Sequence, residues 1–294
     1  MQNGIFRSAL KSFFIVLFGT IGLFAAFFFI ALFFSLISST EKEEIESKYI
    51  VDVAPNADGV RKQISQSAPV VLELSVEGII GTTLLSKDTI HQQLIESREG
   101  TLKKDRVKAV LVHLNTPGGT VEDADAIYRL LLNYKQKYNV PIYGYVDGLL
   151  ASGGMYVASA CDKVFASDSS LIGSVGVIVP TFFNVSKLLT NFGLETTTLY
   201  AGKGKDAGDP TRPWIKDEFA NLDHIIQFYY NQFVDIVSNA RPRISKEELI
   251  NTYGALIFPA PKAVEIGMID QANSTRAEAL KELLAKISIE DDYY

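Results

Sequence analysis

The chain has 294 residues, 47% of them hydrophobic, and a formal net charge of -6. That length and apolar content suit one globular domain with an extra segment, and the acidic balance excludes a basic surplus for nucleic acid. A single cysteine, Cys161, excludes an intrachain disulfide; it carries no compartment signal and reads as buried packing.

From Phe13 to Ile37 no residue is charged and most are Phe, Leu, Ile or Ala. As a helix this run exceeds the ~30 Å hydrocarbon core of a bilayer. A cleaved signal peptide has a shorter apolar core, about 7 to 15 residues, and an A-x-A site that is not seen here. Residues 1–37 therefore read as a cytosolic N-terminus and an uncleaved transmembrane anchor. Arg7 and Lys11 precede the run, whereas Glu41, Glu43, Glu44 and Glu46 follow it, an asymmetry that keeps the N-terminus in the cytosol and sends everything after Ser38 across the membrane. Residues 38–68 are polar, with a Pro55–Gly59 turn cluster, and read as a stalk.

The folded domain is expected over 69–294. PVVLELSVEG, from Pro69, predicts a strand, and Thr89 to Ser97 a short helix before the basic loop LKKDR. Val107 to Leu114 predicts a buried strand ending in NTPGGT. In Val121 to Tyr138 the residues Ala124, Ile127, Leu131, Tyr134 and Tyr138 recur at steps of three and four, the mark of an amphipathic helix. PIYGYV, Pro141 to Val146, is the next strand. Strand, glycine turn, helix, strand is a βαβ unit and implies an α/β fold with a mainly parallel sheet. Further short strands are expected at Lys163 to Ala166, Ser174 to Val179 and Thr196 to Tyr200. The C-terminal third reads as helical: Asp217 to Asn239, Ser245 to Thr252 with an S-x-x-E capping box, and Thr275 to Ile287.

Three stretches are candidates for chemistry. In Asp147 to Ala160, DGLLASGGMYVASA, Ser152 sits where a strand turns into a helix, with its hydroxyl over unpaired backbone N–H groups. From this stretch alone Ser152 reads first as a helix N-cap and second as a nucleophile. Asn115-Thr116-Pro117-Gly118-Gly119 ends a buried strand, and its glycines allow backbone N–H groups to face a ligand, as an oxyanion hole requires, or simply make a turn. In Ala201 to Asp206, AGKGKD, the lysines read by default as solvated charge, and the phosphate-loop pattern is absent. The histidines are His91, His113 and His224. None sits in a glycine turn or has metal-ligand spacing; His113 and His224 read as packing residues, and no metal is expected. A Ser-His-Asp triad is hard to assemble, so a base for Ser152 would be a lysine.

NTPGG at Asn115 to Gly119, DGLLASGGMYVASACDKVFA at Asp147 to Ala166, IGSVGV at Ile172 to Val177, GKGKD at Gly202 to Asp206 and YGALIFPAPKAVEIGMID near the end occur in an order and spacing that resemble the signal peptide peptidase A family of membrane serine peptidases. The resemblance runs from about Val70 to Asp270. It implies a Clp protease/crotonase-like fold of repeated ββα units and a Ser/Lys serine peptidase without a cofactor. On the matching positions Ser152 is the nucleophile, Lys205 the general base, Ser174 the residue that orients that lysine, and the Gly119 N–H, with that of Gly153, the oxyanion hole. Thr116 stands where the family more often has serine, which is expected not to matter if only backbone donates. Lys203, two residues before Lys205, is the alternative base on a register slip.

A lysine serves as base only when neutral, so its reference pKa of ~10.4 must fall by about three units, roughly 4 kcal/mol. The implied partners are remnant signal peptides and other extended apolar peptides, and the implied place is a bacterial inner membrane, with the catalytic domain on its non-cytosolic side. Long family members carry two tandem copies that share serine and lysine. One copy is visible here, so a homo-oligomer with active sites shared between protomers is expected. The rival readings are a crotonase-like acyl-CoA enzyme and a non-catalytic membrane scaffold.

Overall fold

The computed structural model describes residues 2–38, 53–61, 65 and 67–289. The chain divides into two units, Met1–Glu46 and Ser47–Tyr294. Most of the expected stalk lies outside the described residues. Its Pro55–Gly59 turn is described: Asn56 is buried and accepts from the N–H groups of Asp58 and Val60, and the Pro55 carbonyl accepts from Arg276.

In the first unit the apolar run forms one helix, α1 (Gln2–Ser38), in which Phe13–Ile30 is long and apolar enough to cross a membrane. Side chains from 13 to 30 are exposed all round. A helix apolar on every face has no polar side to turn to water.

The second unit is built on a six-stranded sheet. β1 (Val70–Glu77) leads through α2 (Lys87–Glu96) and a 3-10 turn, Gly100–Leu102, to β2 (Val107–Thr116). α3 (Val121–Tyr138) follows, then β3 (Ile142–Ala151), α4 (Gly153–Ala158), β4 (Lys163–Ala166), β5 (Leu171–Gly173) and α5 (Ser186–Asn191). The chain ends through α6 (Ala220–Ala240), α7 (Lys246–Glu248) running into a π-turn at Leu249–Tyr253, β6 (Ile257–Pro259), α8 (Ala260–Ile266) and α9 (Arg276–Lys286). The strand order is β1-β2-β3-β5-β6 with β4 also on β3; every pair is parallel except β5 with β6.

Both faces of the sheet are covered, as expected of parallel strands joined by helices. Because side chains alternate along a strand, Val110, Val112 and Leu114 of β2 point into the core with α3 and α4, while Ala109 and Leu111 point into the core with Leu280, Leu283 and Leu284 of α9. The amphipathic reading of α3 holds: Ala124, Ile127, Leu131 and Tyr134 are buried, Thr120 caps the N-terminus, and a left-handed Asn139 ends the helix. The Ser245 capping box is present, and Thr275 with Glu278 makes a second.

Two expected strands are not formed. Ser174 to Val179 and Thr196 to Tyr200 carry strand-forming residues but have no ladder. A strand needs a run of partners for its backbone groups, and among the described residues neither segment has one beyond the single bond from the Ser174 N–H to Leu256 O. β3, by contrast, runs five residues beyond the end that the apolar run predicts, to Ala151 in place of Val146. Its first half pairs with β4 from Tyr143 to Val146, and its second half with β5 from Leu149 to Ala151. Between β2 and β3 the ladder shifts between Leu114 and Thr116, and there the Asn115 side chain accepts the Leu149 N–H at 3.1 Å. Gly148 permits this, since a Cβ at that position would lie 2.5 Å from Asn115 Oδ1. The strand is thereby carried on to Ala151, directly before Ser152.

Candidate active site

β3 delivers Ser152 to the head of α4 in a backbone conformation foreign to L-residues, φ 52° and ψ -121°. Such a geometry costs of order 1–3 kcal/mol and persists only when its surroundings impose it. Here the Ser152 N–H donates to Gly173 O at 3.1 Å, and the Ser152 carbonyl accepts from Tyr156 N at 3.3 Å. The hydroxyl makes no capping bond. This corrects the N-cap reading: with φ positive, the side chain is swung away from the helix N–H groups it would otherwise accept from.

α4 is only six residues long and wholly buried. It is braced by Tyr156, whose hydroxyl donates to Asp125 Oδ1 at 2.7 Å and accepts from Gln232 Nε2 at 2.9 Å. Burial, with Asp125 beside it, pushes the Tyr156 phenol far above its ordinary range, so it stays a donor. Cys161, buried as expected, has its thiol pushed up to about 12 by burial and is inert packing.

The Thr116–Gly119 turn lies against Ser152. Ile80 forms a parallel bridge with Gly119 by donating to Gly118 O at 3.0 Å and accepting from Thr120 N at 3.1 Å. Both bonds flank Gly119, so its own N–H faces away from Ile80. On that side lies Gly153: a Cβ there would sit 3.3 Å from Gly119 N. Among the described residues neither the Gly119 nor the Gly153 N–H has an acceptor. Only glycine fits at 119, where a Cβ would fall 1.9 Å from the Ile80 carbonyl oxygen.

Thr116, fully buried, donates through Oγ1 to Gly78 O at 2.5 Å and accepts from Gly118 N at 3.0 Å. Its hydroxyl therefore shapes the turn, a role the backbone-only reading of this position missed; a Ser or Thr two residues before a glycine N–H is the local signal for it.

Ser174 follows Gly173, and Gly173 pairs with Ala151, so Ser152 and Ser174 each come one step after a paired residue on adjacent parallel strands. Ser174 also has a positive φ, 57°, and its N–H donates to Leu256 O at 2.8 Å. Ser152, Ser174, Gly119 and Gly153 thus converge at the ends of β2, β3 and β5. Among the described residues Lys205 makes no hydrogen bond with any of these four. It is exposed in the turn of residues 202–208, as is Lys203, and among the described residues neither ammonium has a hydrogen-bond or ion-pair partner.

The histidines stand elsewhere. His113 is half-buried rather than a core residue: Nδ1 is 3.4 Å from Glu77 Oε1, and Nε2 is 2.7 Å from Asp147 Oδ1 but out of line for a hydrogen bond. It occupies a position on β2 alternate to the buried Leu114, facing charged strand ends instead of the main core. His224, expected to pack, is exposed on α6, whose buried residues lie farther along at Phe233, Val234 and Val237. Among the described residues no His, Cys, Asp or Glu cluster forms a metal site.

Against known proteins, the model of Peptidase family S49 matches residues 134–289, a span that takes in Ser152, Ser174 and Lys205. A protein of Enterococcus faecium that carries the name signal peptide peptidase SppA is 30% identical over 206 residues, 68% of this chain and 59% of that one. A protease of Methanocaldococcus jannaschii is 34% identical over 188 residues, 63% of this chain and 59% of that one. The chain thus spans about three-fifths of the length of these relatives. The chloroplastic serine protease SPPA of Arabidopsis thaliana is 28% identical, covering 68% of this chain and 29% of its own. Among solved structures, a ClpP1 mutant from Listeria monocytogenes aligns with a TM-score of 0.47 and 15% identity, over 71% of this chain and 94% of that one. With more than half of its residues matched by one family model, ordered across the turns, strands and helices described above, the chain belongs to Peptidase family S49.

Proposed function

We infer that the chain is a membrane-anchored serine endopeptidase in which Ser152 is the nucleophile, Lys205 the general base, Ser174 the residue that orients the lysine, and the N–H groups of Gly119 and Gly153 the oxyanion hole. The observation that carries this reading is the backbone of Ser152. A serine held at φ 52° with its hydroxyl free of capping bonds, beside two N–H groups without acceptors, is a strained arrangement that packing alone does not need.

The chemistry follows from these positions. A neutral lysine takes the Ser152 proton as Oγ attacks the peptide carbonyl carbon. The carbonyl oxygen gains the negative charge and is stabilised by the Gly119 and Gly153 N–H groups. The lysine then gives the proton to the leaving amine, an acyl-enzyme remains, and water releases it. An extended peptide pairs with backbone that has no ladder of its own, and the segment after Gly173 has this character. Remnant signal peptides and other extended apolar segments are the substrate class, at a bacterial inner membrane with the domain on the non-cytosolic side.

Lys205 reaches Ser152 from a neighbouring copy in this reading. Two features support it: among the described residues Lys205 is exposed without a partner, and the same region exposes large apolar side chains, Phe183 at 74%, Phe192 at 75% and Leu199 at 92%. A monomer rarely leaves such surface uncovered. The test of the nucleophile is a serine-directed fluorophosphonate probe on the purified full chain. Labelling that disappears in Ser152→Ala is expected; folded protein that takes no label up to about pH 9 would favour an acyl-CoA enzyme or a scaffold.

A further inference from the structure

The turn that carries Lys205 is poor in structure of its own. Gly202, Gly204 and Gly208 have positive φ, and no strand or helix covers residues 192–219. One side chain nevertheless ties this segment together. Arg212 Nε donates to Asp206 Oδ2 at 2.7 Å and Nη2 donates to the Asp206 carbonyl at 2.9 Å. The far edge of the guanidinium makes a two-point fork with Glu218, Nη2 to Oε1 at 2.7 Å and Nη1 to Oε2 at 2.9 Å, and Nη1 also donates to Pro213 O at 3.0 Å.

Glu218 in turn accepts the N–H of Gly208 and that of Ile215, each at 2.8 Å. The Asp206 and Glu218 side chains are 9% and 3% exposed, unlike those of a loose surface pair. Bidentate pairing of this kind fixes orientation as well as charge.

We propose that Arg212 is the positioning residue of Lys205: it locks the turn directly after the lysine, from Asp206 to Gly208, and cancels the carboxylate of Asp206, the residue next to it. The proposal rests on the reading of Lys205 as general base. Its chemical sense lies in that carboxylate. An unneutralised Asp206 would favour the ammonium form of a neighbouring lysine and so remove the base; with Arg212 bound to it, the negative charge is spent.

Asp206, Arg212 and Glu218 line one open cleft of about 1100 Å³. Its other charged or titratable walls are Lys203, Lys216, Asp209, Asp217 and the phenol of Tyr200. Asp209 is occupied by the hydroxyls of Thr198 and Thr211, both at 2.7 Å. Lys203 and Lys216 add positive charge, which also disfavours an ammonium nearby, so Asp206 is the acid whose neutralisation matters most.

The test uses the full chain in detergent and compares Arg212→Met, Arg212→Lys and the pair Asp206→Asn with Arg212→Met. In Arg212→Met the acidic limb of kcat/KM should move up by about one pH unit, close to a ten-fold loss on the limb. The paired variant, which lacks the unmasked carboxylate, should return the limb to its wild-type place. Arg212→Lys keeps the charge and loses the fork, so it should lower kcat while leaving the limb where it was. Where turnover is too slow to profile, the lysine amine is titrated directly by NMR after reductive 13C-methylation, with Lys205→Ala assigning the signal.

Trp214, the only tryptophan, donates through Nε1 to Asp209 O at 2.9 Å, so its emission reports whether the segment keeps its shape. An unmoved limb in Arg212→Met, or one moved equally in the paired variant, overturns the proposal. So does a changed Trp214 emission in all three variants, which would make Arg212 a fold-keeping residue only. The underlying reading fails separately, if Lys205→Ala retains turnover.

Discussion

At Ser152 a single residue carries a backbone cost. Glycine adopts φ 52° and ψ -121° without the steric penalty that a Cβ brings. Ser152→Gly should therefore remove the hydroxyl and relieve strain together. The expected result is a protein without fluorophosphonate labelling whose stability rises by about 1–3 kcal/mol, seen as a higher Tm than both wild type and Ser152→Ala. A Ser152→Gly protein no more stable than Ser152→Ala would mean that the strain is not stored at this residue. Neighbouring positions have the opposite sensitivity. At Gly119 any Cβ collides with the Ile80 carbonyl, so the donor geometry and the fit of the strand beside it depend on the same absence of a side chain.

Among the elements, the segment of residues 192–219 has isolated backbone bonds in place of a ladder or a helix, and side chains tie it together. The fork from Arg212, with N–H groups from Gly208 and Ile215, holds the Glu218 carboxyl down to about 2, and hydroxyls of Thr198 and Thr211 hold Asp209 down to about 2. A carboxyl whose pKa is depressed in the folded state contributes stability that is present above its unfolded value, 4.5 for Glu218, and is lost as pH falls toward about 2. Trp214 emission should accordingly hold steady above that unfolded value and shift as acid is added below it. Glu218→Gln should be less stable at neutral pH and lack this part of the acid dependence. Identical acid slopes for the two proteins would show that Glu218 does not link the segment to pH.

For the whole molecule, the chain brings Ser152, Ser174 and the N–H groups of Gly119 and Gly153, the proposed oxyanion donors, to one end of the sheet and carries the proposed base on an exposed turn. If Ser152 of one copy meets Lys205 of the next, each contact is head-to-tail and must close into a ring. The mixing of two inactive variants, Ser152→Ala and Lys205→Ala, under conditions that let subunits exchange tests this directly. Mixed rings would contain sites with an intact serine from one copy and an intact lysine from another, so activity should partly return. Background activity after exchange has been verified with labelled subunits would place the pair within one chain and sink the shared-site assembly.

Local order was legible in the residues themselves. The apolar run of α1, the three- and four-residue steps of α3, the Ser245 capping box and the alternation of strand, glycine turn and helix each depend on neighbours within a turn or two, and each is found. What required the tertiary structure was everything decided by a distant partner. PIYGYV predicts a strand that ends at Val146, but β4, β5 and the Asn115 side chain extend it to Ala151. Ser174 to Val179 and Thr196 to Tyr200 have strand composition yet no ladder, because pairing and not propensity makes a strand. Ser152 reads as a helix cap from its neighbours; only the bond from its N–H to Gly173 on another strand shows the backbone turned the other way. Arg212, unremarkable in sequence, gains its place from Asp206 and Glu218, six residues away on either side, because a guanidinium reads carboxylate geometry in space and leaves no periodic trace along the chain.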